Sequence, residues 1–222
     1  MTDHVRDSYD AMAEQYTAVA VGDIDRDTVA HEWLGEFAQL AALGDGPVAD
    51  LGCGPGYVTN HLSELGLSAL GYDISPALVA EAQRAFPDVE FQLGDLTALD
   101  VANSSLAGVV SRYSLIHAPP TQLAGTFAEW SRVLELGAPA LLSFFAASSA
   151  ERHGTPFDHK VVTAYELFPA TIVSELESAG FEDIRVGVRG PLVGERLLDH
   201  ATILARSATQ VIGPVDACCH RH

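Results

Sequence analysis

The chain of 222 residues is long enough for one sizeable α/β domain, and its 48% hydrophobic and 19% charged residues are typical of a folded globular protein. Twelve basic residues against 30 acidic ones give a formal net charge of −18, which argues against nucleic acid and anionic membranes as partners. The first residues lack a signal-peptide pattern, and no apolar run is long enough to cross a membrane. We therefore expect a cytoplasmic protein.

Hydrophobic spacing predicts two helices ahead of the first strand. The first covers residues 7–20 and carries Tyr9 and Tyr16 on one face. The second follows an aspartate-rich segment, residues 23–27, which offers N-caps, and it runs to about Leu43.

From residue 48 onward, strands and helices are predicted to alternate. The predicted strands are residues 48–51, 67–72, 89–93, 106–113, 138–146, 181–189 and 200–206. The predicted helices between them are residues 58–65, 76–86, 121–134 and 169–179. This order predicts an α/β fold: a doubly wound, Rossmann-like sheet of seven strands, mostly parallel, with helices on both faces. The last two strands have no helix between them and are expected to form an antiparallel pair at one edge.

One long connection, residues 147–163, fits neither the helical nor the strand period. A long irregular connection after a central strand is often a substrate-facing lid, and a plain surface loop is the alternative.

Glycines and acidic residues follow the first three predicted strands. Gly52, Gly54 and Gly56 stand at alternate positions after the first strand, where they let the backbone turn sharply and approach a ligand. Asp73 ends the second strand and can accept hydrogen bonds from both hydroxyls of a ribose. Asp95 follows the third strand and can reach the exocyclic amine of an adenine. The three features in this order predict a nucleoside-binding site.

The spacing of the glycines disfavours a cofactor with a pyrophosphate, such as NAD. A pyrophosphate-binding turn requires Gly-x-Gly-x-x-Gly, but Tyr57 stands where the third glycine is needed. Asp50 also places a carboxyl group beside the position of the phosphates. The sequence therefore favours a nucleoside cofactor without phosphate.

The segment Asp-Leu-Gly-Cys-Gly-Pro-Gly, the acid at Asp73 and the Gly-Asp-Leu segment resemble the class I S-adenosylmethionine-dependent methyltransferases. The resemblance is nearest to the small-molecule branch typified by ubiquinone- and menaquinone-type methyltransferases. One departure is the turn after residues 132–134, which reads Glu-Leu-Gly-Ala-Pro where the family usually has Pro-Gly-Gly. The resemblance implies a single domain with these parts: lid helices in 1–44, a Rossmann-like core in 45–206 with a substrate lid near 147–163, and a tail in 207–222.

The resemblance also implies the cofactor, S-adenosylmethionine without a metal, and the residues that bind it. The implied cofactor-binding residues are Tyr9, Tyr16, Asp50, Gly52, Cys53, Gly54, Gly56, Asp73, Ile74, Ser75, Asp95, Leu96 and Ser111. The glycine loop would hold the methionine part and Asp73 the ribose, with Ile74 beneath the adenine. Tyr9 and Tyr16 would cover the cofactor from the lid helices. Cys53 is then a small loop residue rather than a nucleophile.

Methyl transfer from a sulfonium is an in-line displacement that leaves S-adenosylhomocysteine. His117, just after the fourth strand, is the best candidate for a base because its unperturbed pKa is near neutral; a hydrogen-bonded loop histidine is the alternative. Arg112 and Tyr113 can orient an anionic or phenolic substrate. Weaker candidates from the 147–163 segment and just beyond are His153, Phe157, His159 and Tyr165.

The fourth strand lacks the Pro-Pro pattern of methyltransferases that act on base amines, so we expect a small-molecule acceptor. Two alternatives stay open: an S-adenosylmethionine-binding protein without transfer activity on the same scaffold, and, less favoured, a nicotinamide-dependent oxidoreductase. The acceptor atom and the oligomeric state, with a homodimer among the options, are also open. The Cys-Cys-His-Arg-His tail is interpreted as a frayed chain end rather than a metal site.

Overall fold

The computed structural model describes residues 3–20 and 28–208. The predicted aspartate-rich cap segment and the cysteine- and histidine-containing tail lie outside these residues.

Three helices precede the sheet: α1 (Asp3–Ala11), α2 (Ala13–Ala20) and α3 (Thr28–Ala41). The single helix predicted over 7–20 is therefore two helices, and the first begins four residues earlier than predicted. The break falls at Met12, whose N–H donates to the carbonyl of Tyr9 only three residues back, at 3.1 Å. This tighter turn interrupts the helix, and both short helices contact α5, the helix Pro76–Ala85.

The remaining elements alternate as the sequence predicts. In chain order they are β1 (Val48–Leu51), α4 (Tyr57–Glu64), β2 (Ala69–Asp73), α5 (Pro76–Ala85), β3 (Glu90–Leu93), β4 (Gly108–Arg112), a 3-10 turn (Leu115–His117), α6 (Pro120–Val133), β5 (Pro139–Ala146), a second 3-10 turn (Ala150–Arg152), β6 (Thr155–Asp158), β7 (Thr163–Glu166), α7 (Pro169–Ser178), β8 (Phe181–Arg189) and β9 (Asp199–Ser207). No helix within the described ranges is long and apolar enough to cross a membrane.

Seven strands form one sheet in the order β3-β2-β1-β4-β5-β9-β8. The first five strands of the chain pair in parallel, and β9 runs antiparallel to both β5 and β8. The predicted fold class and the antiparallel edge pair are confirmed. Strand order reverses between β1 and β4, and ligands bind at such a switch point in open α/β sheets.

Helices cover both faces of the sheet. Phe127 and Trp130 of α6 are fully buried on one face, and Leu34 and Phe37 of α3 are fully buried on the other. Strand β5 is buried along its whole length because both of its faces are covered.

The prediction that residues 147–163 are irregular is wrong for residues 155–158, which form strand β6, and for Thr163, which begins β7. Strands β6 and β7 pair as an antiparallel hairpin that forms a separate two-stranded sheet. The hairpin is attached to the main sheet by a parallel bridge between Ala146 and Leu167. Strands of four residues are too short to show a clear period, and Gly154 and Pro156 interrupt the pattern further.

Candidate active site

A cavity with about 470 Å³ of empty space lies at the carboxyl ends of β1 to β4. The position is the topological switch point of the sheet. The cavity is lined by Val5, Tyr9, Tyr16, Gly52, Gly54, Asp73, Ile74, Leu78, Gly94, Leu96, Arg112, Tyr113, Ser114 and His117.

The glycine loop after β1 depends on the absence of side chains. Gly52 has φ +79°, and a Cβ there would lie 2.2 Å from the Cβ of Ser114. Gly56 has φ +89°, and its Cβ would lie 2.7 Å from the ring of Phe91. Only glycine adopts this backbone without strain, so the loop keeps its main chain exposed toward the cavity.

Asp73 connects this loop to β2. Its Oδ2 accepts a hydrogen bond from the N–H of Gly54 at 2.8 Å, and its Oδ1 accepts one from the N–H of Ser75 at 2.9 Å. Burial raises the pKa of this carboxyl group, although the backbone hydrogen bonds partly oppose the shift. A carboxylate has about four acceptor positions, so Asp73 keeps acceptor capacity toward the cavity that it lines.

The N-terminal helices cover the cavity. Tyr9 and Tyr16 line it with their rings perpendicular, their centroids 5.2 Å apart. The carboxyl group of Asp10 accepts hydrogen bonds from the hydroxyl of Ser75 at 2.5 Å and from the N–H of Ala77 at 3.1 Å. These contacts fix α1 to the first turn of α5.

The end of β4 carries a strained residue beside the glycine loop. Tyr113 has φ +55°, a conformation that non-glycine residues rarely adopt and that often occurs at functional sites. Its hydroxyl is 2.6 Å from Nδ1 of His200 on β9. Ser114 donates to the carbonyl of Leu51 at 2.6 Å, which ties the β4 end to the end of β1.

His117 is buried in the first 3-10 turn, and both of its ring nitrogens have partners. Nδ1 lies 3.1 Å from the carbonyl oxygen of Thr163, and Nε2 lies 2.7 Å from the hydroxyl of Tyr9. Because a carbonyl only accepts, Nδ1 carries the proton, and in the neutral ring Nε2 accepts from Tyr9. Burial lowers the pKa of His117.

Ten of the residues singled out from the sequence line this cavity. They are Tyr9, Tyr16, Gly52, Gly54, Asp73, Ile74, Leu96, Arg112, Tyr113 and His117. The structure thus brings together the glycine loop, the acid after β2 and all three candidates at the end of β4.

The other assigned residues do not line the cavity. Asp50 is buried and accepts a hydrogen bond from Thr59 at 2.7 Å, and burial raises its pKa to about 7. Cys53 is packed on the inner side of the loop, where burial raises the pKa of its thiol. Asp95 accepts hydrogen bonds from the backbone and side chain of Thr97.

The remaining three have local structural contacts. Gly56 begins α4, and Ser75 caps α5 by accepting a hydrogen bond from the N–H of Leu78. Ser111 is fully buried and lies 2.6 Å from the hydroxyl of Ser114, which it supports from below.

Sequence reasoning missed four cavity residues. Val5 is on the turn of α1 before Tyr9, a spacing visible in the sequence once the helix is started earlier. Gly94 was also visible, directly before Asp95, and a Cβ there would lie 2.8 Å from the ring of Tyr72. Leu78 and Ser114 carry no sequence signal because their position depends on tertiary packing.

An aromatic and histidine-rich cluster adjoins the cavity beyond Tyr113. Phe145 has its ring 5.2 Å from Tyr113 and 5.3 Å from Phe157 of the hairpin. The ring of His159 lies 5.2 Å from that of His117, and burial lowers the pKa of His159 to about 4. The guanidinium of Arg196 lies over Phe157 at 5.2 Å.

Part of the sequence is similar to known methyltransferases. Residues 48–137 match a protein-family model described as a methyltransferase domain. The trans-aconitate 2-methyltransferase of Escherichia coli K12 is 44% identical over 78 residues, which are 31% of this chain and 31% of that protein. The alignment thus spans about a third of the curated relatives' length.

Solved structures share the fold over nearly the whole chain. The magnesium protoporphyrin IX methyltransferase of Synechocystis PCC 6803, solved with S-adenosylhomocysteine bound, has a TM-score of 0.67 at 24% identity, covering 92% of this chain and 98% of that one. The cyclase SpnF has a TM-score of 0.75 at 15% identity, covering 93% and 96%.

Residues 48–137 thus match a methyltransferase domain, and the sheet has the fold of a solved methyltransferase structure. Both findings agree with the family resemblance seen in the sequence. The narrower likeness to ubiquinone- and menaquinone-type enzymes stays a prediction.

Proposed function

We propose that this protein transfers a methyl group from S-adenosylmethionine to a small-molecule acceptor. The observation that carries the proposal is the position of Asp73, which lines the cavity beside the open backbone of Gly52 and Gly54. The ribose hydroxyls of a nucleoside can donate to the acceptor positions that Asp73 keeps available. The carboxyl group of Asp73, which lines the cavity, disfavours phosphate and suits a cationic sulfonium.

The cofactor supplies an activated methyl group when it is bound, so the protein has to position the acceptor and exclude water. Tyr9 and Tyr16 cover the cavity and would keep solvent away from the reacting atoms. Arg112 and Tyr113 line the side nearest β4 and would orient the acceptor. His117, whose lowered pKa keeps the ring neutral at pH 7, would be the final holder of the proton that the acceptor loses.

The named relatives support a small-molecule acceptor. The curated relative is named for trans-aconitate, and a structural neighbour is named for magnesium protoporphyrin IX. The net charge of −18 supports the same choice, since a nucleic-acid substrate would be repelled. A cytoplasmic location, a homodimer, and lid roles for residues 1–44 and 147–163 belong to the same proposal.

Calorimetric titration with S-adenosylmethionine, S-adenosylhomocysteine and NAD tests the cofactor. We expect micromolar binding of the first two and no binding of NAD. Tight NAD binding alone would instead support the oxidoreductase alternative.

An acceptor panel with S-adenosylhomocysteine release as the readout tests the transfer step. Trans-aconitate and a series of phenols form the first panel. Binding of S-adenosylmethionine with no release from any acceptor would favour the non-transferring alternative.

A further inference from the structure

Three groups form a continuous hydrogen-bonded chain at the cavity: the carbonyl of Thr163, the ring of His117 and the hydroxyl of Tyr9. They come from three separate elements, namely the hairpin, the first 3-10 turn and α1. Tyr9 and His117 are 108 positions apart in the chain, and both line the cavity.

These hydrogen bonds leave no ring nitrogen of His117 free to bind a ligand. Nδ1 is held by the carbonyl of Thr163, and Nε2 is held by Tyr9 at 2.7 Å. An acceptor in the cavity would therefore have to displace Tyr9 to reach the imidazole directly.

Tyr9, in contrast, has acceptor capacity left. Its single hydroxyl proton goes to Nε2 of His117, and the described part of the chain places no other hydrogen bond on its oxygen. The lone pairs of this oxygen are open to a donor in the cavity that Tyr9 lines.

Resting on the proposed function, we propose that Tyr9 is the catalytic residue that contacts the acceptor and takes its proton, and that His117 is the final proton store. The acceptor's X–H bond breaks, and its proton moves to the Tyr9 oxygen. The Tyr9 proton moves to Nε2 of His117. The electron pair left on X forms the bond to the methyl carbon, and the pair of the C–S bond goes to sulfur. The resulting imidazolium still donates its Nδ1–H to the carbonyl of Thr163.

The relay suits a phenol as the acceptor. A carboxylic acid is already ionised at pH 7 and needs no proton acceptor, whereas a phenol keeps its proton until about pH 10. Burial raises the pKa of Tyr9, so its oxygen readily takes a proton from a phenol once its own proton has passed to His117. The ring of Tyr113, which packs on Phe145, lines the cavity and can pack against the acceptor ring.

The relay is surrounded by other titratable groups that a pH study must consider. Tyr16 packs on Tyr9 from α2, and His159 packs on His117 from the hairpin. Asp73 and Arg112 line the same cavity. Arg196, Lys160 and Asp158 act on His159.

The first experiment measures methylation of two phenols by wild type and Tyr9→Phe. 4-Nitrophenol ionises near neutral pH by itself, whereas 4-methylphenol does not. At pH 8.5 we expect Tyr9→Phe to lower kcat for 4-methylphenol by about 100-fold or more, the usual contribution of acid–base catalysis, and to leave 4-nitrophenol within about threefold. Tyr57→Phe is the matched control. The ring of Tyr57 packs on Phe86, just after the end of α5, and Tyr57 does not line the cavity.

The two phenols separate catalysis from structure. An equal loss for both in Tyr9→Phe would show a merely structural Tyr9 and overturn the proposal. Turnover of trans-aconitate without turnover of either phenol would overturn it as well. Failure to bind S-adenosylmethionine would instead refute the proposed function.

A second measurement needs no acceptor. Nitrogen-15 NMR of His117, with S-adenosylhomocysteine added, is expected to show a protonated Nδ1 and an unprotonated Nε2. Tyr9→Phe should raise the pKa of His117, because the lost hydrogen bond favours the neutral ring. A ring protonated at Nε2 in the wild type would overturn the relay.

Discussion

Asp73 and Gly54 hold each other in place: the carboxyl group at the end of β2 accepts the N–H of the loop after β1 at 2.8 Å. The group expected to bind the ribose therefore also fixes the loop expected to hold the methionine part. Two parts of one ligand site are positioned by a single buried side chain.

Asp73→Ala is expected to weaken S-adenosylmethionine binding by about 1.5–3 kcal/mol, the usual loss for hydrogen bonds to a charged group, or about 10- to 150-fold in Kd. Calorimetry measures the change, with circular dichroism to confirm folding. Asp88→Ala, an exposed aspartate between α5 and β3, is the control and should bind like wild type. An unchanged Kd in a folded Asp73→Ala protein would refute the ribose assignment.

Gly52→Ala is expected to destabilise the protein by about 2 kcal/mol or more, because alanine is strained at φ +79° and its Cβ would meet Ser114 at 2.2 Å. Gly125→Ala is the matched control: Gly125 is exposed within α6, with nothing within 4 Å of an added Cβ. That change should stabilise by about 0.5–1 kcal/mol. Urea unfolding compares the two, and equal effects would contradict the loop geometry.

Asp10→Ala is expected to loosen α1 and α2 from α5, since it removes the hydrogen bonds from Ser75 and Ala77. Hydrogen exchange of the amides of residues 3–20 should speed up by roughly 10-fold or more, as about 1.5–3 kcal/mol of local stability is lost. Asp7→Ala, an exposed site on the same helix, should leave exchange unchanged. Normal protection in Asp10→Ala would show that other contacts hold the helices.

Asp50→Asn tests the buried carboxyl group through pH. Burial raises its pKa from 3.8 to about 7, so the folded protein holds this proton after the unfolded chain has lost it. The contribution of Asp50 to stability is therefore full below about pH 4 and is lost as the pH rises through about 7. Asp50→Asn should gain stability relative to wild type between pH 5 and pH 8, on the order of a few kcal/mol.

Urea unfolding at the two pH values measures that difference. Asp88→Asn is the surface control and should show no change between pH 5 and pH 8. A constant difference between wild type and Asp50→Asn would mean that Asp50 is ionised in the folded protein throughout this range.

Much of the fold could be predicted because local signals agree with the tertiary structure. The predicted limits of β1 and β8 match the structure, since both segments are bounded by glycine or proline. Ser75 as an N-cap and Pro76 as a first-turn proline likewise indicated the start of α5. The hairpin of β6 and β7 was missed because strands of four residues, one of them containing Pro156, show no clear period.

The site was predictable only in part. Spacing after strands located Asp73 and the glycine loop, because the carboxyl ends of parallel strands meet at one edge. It did not distinguish the residues that face the cavity from those behind it, as Asp50 and Cys53 show. The partners of His117 lie 108 and 46 residues away in the chain, so no local pattern indicates them.

The antiparallel direction of β9 separates the two ends of the described chain. Arg206 and Ser207 lie beside the start of β5, at the amino edge of the sheet. Helix α1 lies across the opposite edge, where Val5 lines the cavity. A surface tether or fluorescent label attached near residue 208 would therefore not obstruct ligand binding in the cavity. One attached near residue 3 would obstruct it.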